Sequence, residues 1–566
     1  MDEKIQLRGW LAASRNLKIT CLGEYMDLGV CVQYRNLLNK FPADQIFFSD
    51  TEQVCFLDGY VYHREDFIRP EGYHEWPDSF AFSLREDRKK HLSKLRGAFC
   101  GYHYEKETDR ITVYTDQVSN KAVYYYCEKD GWILSDHLEY MVRVLRENGI
   151  AYDFDERAAQ YMLTCGYMLD DSTFVTQIRR LLPGYYAEIA GGSVSLYRYY
   201  ELPCGREEMS EDEAVERIDS AFRQAVDREF AKDREYGYRH LVDLSGGLDS
   251  RMVTWIAHDL GYTEQLNVAY GRLGYLDQKI SEQVAAALKH EYLHKPLDDL
   301  TWMYDVDEMT LKNNGAAICL GMTGGNRLLQ ALNTERFGIE HTGMVGDAIL
   351  STFYHDRALN DRAPAFGSHQ YSNRLQYDFD ETILSDYRNQ ESFALMTRGI
   401  LGAQSSYLIR HHYVETGSAF LDVDFLEAVM TIPFEYRKGH HIYLKWIAKK
   451  YPQAAEFVWE KWGVKPKESQ IFKRKVRTTG KLAEGCLRKV THQPERVSMN
   501  PTDYWYKNDA NVRKYFEAMF GQRIGSRLLS DRLRDDVKQL FIEGNFSEKT
   551  QALTVLSGLH LFFGEG

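Results

Sequence analysis

The run His240-Leu241-Val242-Asp243-Leu244 leads directly into Ser245-Gly246-Gly247-Leu248-Asp249-Ser250, and a helical pattern from Arg251 to Asp259 follows at once. A short apolar run bounded by glycines predicts a buried strand, and a helix after it predicts a strand–helix–strand unit. Two adjacent glycines leave no Cβ between the backbone and a ligand. Consecutive N–H groups in such a turn, together with the N-terminus of the next helix, make a cradle for an anion. Ser245 and Ser250 add hydroxyls. Asp249 would place a carboxylate beside bound phosphates, which is electrostatically sensible when Mg²⁺ bridges them. The loop lacks the Gly-Lys-Ser/Thr ending of a Walker-type loop.

Strand and helix alternate beyond this point. Strands are predicted at Gln265–Tyr270, Glu291–His294 and Glu340–Gly343, with a helix from Gln278 to Leu288, giving a parallel, doubly wound sheet. From about residue 380 the apolar spacing is helical, as in Phe425, Leu426, Val429 and Met430. The first 200 residues differ in texture. Gly97–Tyr104, Ile111–Tyr114, Ala122–Tyr126 and Gly131–Ser135 are β-branched or aromatic runs suited to antiparallel pairing. Val54–Leu57 precedes Asp58-Gly59, a hairpin-type dipeptide, and Leu182-Pro183-Gly184 precedes another strand. Ser210 with Glu213 forms a capping-box signature opening a helix that carries Ala214, Ile218, Ala221, Phe222, Ala225 and Val226. The expected fold class is therefore α/β with two domains, residues 1–205 and 206–566.

A chain of 566 residues holds several domains at about 150 residues each and needs no disulfide staples. Its nine cysteines contain no Cys-x-x-Cys pair, which suits reduced thiols in a cytoplasm. The net charge of −13 argues against a protein built to hold nucleic acid. No run reaches the roughly 18 apolar residues of a membrane span, and Met1–Arg8 mixes charges in a way no secretory signal does.

Ser245–Ser250 resembles the pyrophosphate loop of the ATP pyrophosphatases, and other stretches narrow the likeness to asparagine synthetases. Leu57-Asp58-Gly59-Tyr60-Val61-Tyr62 is similar to that family's NGEIYN, and Leu182-Pro183-Gly184-Tyr185 to its LPPG turn. Gly97-Ala98-Phe99, Tyr114-Thr115-Asp116 and Lys121–Tyr125 resemble strands of its amino-terminal domain. Asp277, Ala285–Ala287 and His290 resemble a conserved helix, Thr342–Asp347 the SGxGxDE loop, and Val414-Glu415 with Phe420-Leu421-Asp422 a later segment. The resemblance implies an amino-terminal Ntn-type glutamine amidotransferase-like antiparallel sandwich with flanking helices. It further implies a carboxy-terminal adenine nucleotide α-hydrolase-like sheet with a helical extension. ATP and Mg²⁺ would be the cofactors. Ser245, Gly246, Gly247, Asp249 and Ser250 would hold phosphates, and Asp249 and Asp347 the metal. Leu244, Val268, Thr342 and Gly343 would line the adenosine pocket, and Lys461 would neutralise charge on the reacting groups. Glu415 is a candidate base. The implied reaction is adenylation of a small-molecule or peptide carboxylate, then transfer to ammonia or an amine, with asparagine biosynthesis as the family's default. No nucleic acid or membrane partner is implied, and a homodimer is an option.

Departures from the pattern keep other outcomes open. Glutamine-dependent members begin with a cysteine whose α-amine acts as base; here the second residue is Asp2 and the nearest cysteine is Cys21, so glutaminase activity is not expected. Met344 and Ala348 stand where asparagine synthetase carries glutamates. A glutamine-independent macrocyclase or β-lactam-synthetase-like ligase, a glycan-precursor amidating enzyme, and a nucleotide-binding pseudo-enzyme or scaffold all remain alternatives. His290-Glu291-Tyr292-Leu293-His294 matches a zinc-protease string, but Pro296 follows and the second histidine falls in a strand. The pairs His411-His412 and His440-His441 are expected to pack or face solvent. Lys473-Arg474-Lys475 with Arg477 is expected to be a solvated face, and Asn545-Phe546-Ser547 a glycosylation string without consequence.

Overall fold

The computed structural model describes residues 7–68, 75–321, 324–354, 356, 362–366, 371–467, 469, 471 and 498–564. The amino-terminal part carries strands β1 (Gly9–Ser14), β2 (Met26–Asp27), β3 (Cys31–Asn36), β4 (Ile46–Ser49), β5 (Gln53–Val61), β6 (Gly97–Glu105), β7 (Arg110–Thr115), β8 (Tyr124–Glu128), β9 (Gly131–Ser135), β10 (Arg179–Arg180), β11 (Tyr185–Ala190) and β12 (Ser193–Arg198). They form two six-stranded antiparallel sheets, ordered β10-β8-β9-β1-β3-β2 and β12-β11-β7-β6-β5-β4.

Alternation along the strands explains why β1 is buried throughout. Trp10 and Ala12 point between the sheets, where they meet Phe56, Tyr102 and Val113. Leu11 and Ala13 point to the other face, under the helices Leu138–Glu147 and Glu156–Cys165. The second sheet is covered by the helix Trp76–Glu86 through Phe80 and Leu84. Helix, sheet, sheet and helix thus stack as four layers. The expected hairpin at Asp58-Gly59 is absent: both residues lie inside β5, paired with Cys100 and Phe99 of β6. Gly59 takes φ +115, and a Cβ there would lie 2.0 Å from the Ala98 carbonyl oxygen, so the glycine marks close strand approach.

The helix Glu211–Glu235 begins with the predicted capping box of Ser210 and Glu213. Beyond it lies a parallel sheet of β13 (Arg239–Asp243), β14 (Gln265–Gly271), β15 (Glu291–Pro296), β16 (Phe337–His341) and β17 (Glu415–Gly417), ordered β15-β14-β13-β16-β17. The chain moves outward from β13 through β14 to β15 and then returns to the other side of β13. The crevice at the carboxyl ends of β13 and β16 is therefore a topological switch point. Val242 faces the core that includes the helices 211–235, 249–259 and 276–288, while Leu241 faces Leu328 and Leu329 on the other side. The carboxy-terminal helix Phe546–Phe563 packs back onto the amino-terminal part, where Leu553, Leu556 and Phe562 join one core with Leu145, Met162 and Phe174. None of the described helices is long and apolar enough to cross a membrane.

Candidate functional site

Residues 245–250 sit at the switch point, where Leu244 N–H donates to the Val268 carbonyl at 2.8 Å and fixes the end of β13. The first loop amides are held by side chains. Ser245 N–H donates to Ser250 Oγ at 2.9 Å, Gly246 N–H to Asp277 Oδ1 at 2.7 Å, and Gly247 N–H to Ser245 Oγ at 3.1 Å. The expected cradle of loop amides is thus partly closed from within. The helix Asp249–Asp259 that follows has Leu248 as its N-cap and carries no side-chain cap. The N–H groups of its first turn have no intrahelical partner.

The loop after β16 fits against this turn. A Cβ on Gly343 would meet the Ser250 nitrogen at 2.4 Å, and one on Gly346 would meet Asp249 Cγ at 2.8 Å. Asp347 N–H donates to Asp249 Oδ2 at 3.1 Å, Tyr443 O–H donates to Asp249 Oδ1 at 2.7 Å, and Lys461 Nζ lies 3.8 Å from Asp347 Oδ2. Burial first, and the Asp347 charge second, push the Asp249 carboxyl well above the usual range. Two hard oxygen donors that repel one another are what a divalent cation relieves, so Asp249 and Asp347 fit Mg²⁺.

Lys461 is brought here by an arginine that the sequence pattern did not single out. The Arg251 guanidinium, fully buried, donates to the carbonyls of Gly246 at 3.1 Å and Val458 at 2.7 Å, with Ala454 and Phe457 each at 3.2 Å. Glu460 N–H donates to the same Gly246 carbonyl at 3.2 Å. Arg251 therefore ties the segment 454–460 to the loop.

A cleft of about 550 Å³ opens at the loop after β13; Asp347 and Lys461 are not among its lining residues. Leu244, Ser245, Gly247, Asp249, Ser250, Val268 and Gly343 line it, along with Met344 and Asp277. Burial raises the Asp277 carboxyl to about 6.

Residues 83–200 match a glutamine amidotransferase domain. That stretch covers β6 to β12, so the amino-terminal part is amidotransferase-like. No curated protein matches the sequence. Among solved structures, a glutamine phosphoribosylpyrophosphate amidotransferase from B. subtilis, complexed with ADP and GMP, is 12% identical, covering 51% of this chain and 75% of its own, with a TM-score of 0.22. A structure described as the allosteric regulatory enzyme of purine biosynthesis is 11% identical, covering 51% and 74%, with a TM-score of 0.23.

Several expected site residues lie elsewhere. Gly246 is turned toward Asp277 and is not among the residues lining the cleft. Thr342 is buried with its hydroxyl donating to the Gly417 carbonyl at 2.9 Å, and it lines a neighbouring cavity between the amino-terminal part and β17. Glu415 corrects the expectation of a base. It is 1% exposed, its Oε1 accepts from Lys121 Nζ at 2.8 Å, and Lys121 also pairs with Asp58 at 2.7 Å. Burial, opposed by Lys121, raises the Glu415 carboxyl; it is one member of a buried ion cluster joining two sheets. Cys21 sits on a short turn beside Glu147, its thiol pushed up to about 12 by burial and that carboxylate. His290 bonds Asn267 at 2.9 Å and His258 at 2.8 Å, away from any zinc arrangement with His294 on β15. His412 is buried, and burial holds both His411 and His412 well below the ordinary imidazole value. His440 is buried, and His441 meets Glu211 at 3.0 Å. Asn545 caps the last helix. Lys473, Arg474, Lys475 and Arg477 lie outside the described residues.

Proposed function

We propose that the protein is an ATP-dependent ligase that joins a carboxylate to ammonia or an amine through an acyl-adenylate, in the manner of asparagine synthetases. The observation that carries this is the uncapped helix N-terminus at Asp249, set at a switch point with two facing carboxylates and a lysine. The amidotransferase-like stretch 83–200 supports nitrogen transfer as the broader theme. The two parts would be residues 1–205 and 206–566.

In the reaction, a substrate carboxylate oxygen attacks the α-phosphorus of ATP and the bond to the β-phosphate oxygen breaks, releasing pyrophosphate. The amine then attacks the acyl carbon, AMP leaves with the former carboxylate oxygen, and the amine gives up a proton. Ser245, Ser250 and the first-turn amides of the helix Asp249–Asp259 bind and orient the phosphates. Asp249 and Asp347 would hold Mg²⁺, which supplies charge neutralisation on the departing pyrophosphate. Leu244, Val268 and Gly343 would seat the nucleoside. Lys461, fixed beside Asp347, stabilises negative charge as it develops. Glu415 has no part in this chemistry. Met344 in the cleft favours a second reading, a nucleotide-binding scaffold without ligation.

Asp249→Ala tests the scheme. Pyrophosphate and AMP production should fall to background, and stabilisation by ATP with Mg²⁺ should disappear. Wild-type protein that binds ATP and Mg²⁺ yet releases no pyrophosphate with any acid would establish the scaffold instead.

A further inference from the structure

The cleft is larger than its phosphate end requires, and its far wall has a different chemistry. Tyr371, Tyr407, Met499 and Phe546, with Ile318 and Leu320, face the same space as Ser245 and Asp249. The aromatic groups are fixed in place. Tyr371 is 47% exposed at the mouth, yet its ring lies against Gly166, where a Cβ would come within 2.4 Å of Tyr371 Cδ2. Gly166 takes φ +75 as the cap that follows the helix Glu156–Cys165, a conformation that suits glycine and leaves the ring its seat. Tyr167 meets the same ring edge-on at 6.4 Å. The Tyr407 ring is backed by the Arg410 guanidinium at 4.2 Å. The charge of Arg410 is matched by Glu340 at 2.5 Å and Asp243 at 3.0 Å.

Among the described lining residues, the charged groups are Asp243, Asp249 and Asp277. The described lining also carries the hydroxyls of Ser406, Thr502, Ser547 and Thr550, so a second carboxylate on the substrate would exchange its hydration for acids and neutral hydroxyls, with no cation among the described lining residues to pair it. A neutral ring or branched chain would instead bury apolar surface against Tyr371, Tyr407 and Phe546.

We propose that the acid activated in this cleft is a monocarboxylic acid whose remainder is neutral and aromatic or apolar, seated against Tyr371, Tyr407 and Phe546. This rests on the adenylation described above and names its acyl substrate class; aspartate is excluded by it.

The test is ATP–pyrophosphate exchange by the full chain with Mg²⁺, using 3-phenylpropanoate and 4-methylpentanoate against aspartate and glutamate. The monocarboxylic acids should support exchange at least about tenfold faster than the dicarboxylic ones, the order of discrimination an apolar pocket provides. Tyr371→Ala, at an exposed position, should raise KM for the acid about fivefold or more with KM for ATP unchanged. Exchange driven equally well or better by aspartate would overturn the substrate class and leave adenylation standing. An unchanged KM for the acid in Tyr371→Ala would also overturn it. Absence of exchange with all four acids, while ATP and Mg²⁺ still stabilise the protein thermally, would remove adenylation itself and this inference with it.

Discussion

His341, on β16 and one residue before the loop that reaches Asp249, is enclosed by the long helix. Its Nδ1 lies 2.6 Å from Glu229 Oε1, its Nε2 lies 2.8 Å from Asp233 Oδ2, and its ring stacks on Phe230 at 3.7 Å. Burial alone would push this imidazole down, but Asp233 and Glu229 overcome it and hold the group up at about 9. The gap from an ordinary 6.5, at about 1.4 kcal/mol per tenfold change in proton affinity, corresponds to at most about 3 kcal/mol of stability. The folded value is raised above the unfolded one, so this contribution is complete below pH 6.5 and fades as pH climbs through about 9. His341→Gln removes the cation and leaves two buried carboxylates facing a neutral amide, at a cost of about 3–5 kcal/mol near pH 7. Thermal unfolding of both proteins from pH 6.5 to 10 should show wild type ahead at pH 7, with the gap narrowing by about 3 kcal/mol toward pH 10. Groups titrating elsewhere act on both proteins and cancel in the difference. A gap that stays constant across this range, or no gap at pH 7, would refute a charged His341.

Other expectations follow from the site and its supports. Lys461→Ala should lower kcat by about 10²–10³-fold while KM for ATP changes little, measured by steady-state pyrophosphate release. Glu415→Gln should lower the melting temperature by leaving Lys121 under-compensated, a loss of about 3 kcal/mol, yet leave KM for ATP unchanged, as calorimetry and kinetics would show. Arg251→Met should weaken ATP binding about tenfold or more, since four backbone carbonyls then lose their buried donor; titration calorimetry reads this directly.

Much of the loop 245–250 and its flanking elements was legible because its signals are local. Strand, paired glycines and helix follow one another within twenty residues, and the structure joins them as expected. The capping box of Ser210 and Glu213, the β6–β7 and β8–β9 hairpins and the Pro-Gly turn before β11 formed for the same reason. Asp58-Gly59 misled because a turn-type dipeptide carries no information about what packs on it; Lys121 claims the carboxylate and Ala98 the space beside the glycine. Glu415 misled likewise, since its cation lies 294 positions away. Arg410 and Tyr371 had no signal at all. Their meaning comes from Glu340, Asp243 and Gly166, which only the fold brings near.

The Arg251 tie also orders events during synthesis. Residues 245–250 emerge early, but the carbonyls of Ala454, Phe457 and Val458 that steady them come more than two hundred positions later. A nascent chain released before that point would display residues 245–250 without the carbonyl partners that hold the Arg251 guanidinium in place. The loop thus gains this support only after most of the polypeptide has left the ribosome.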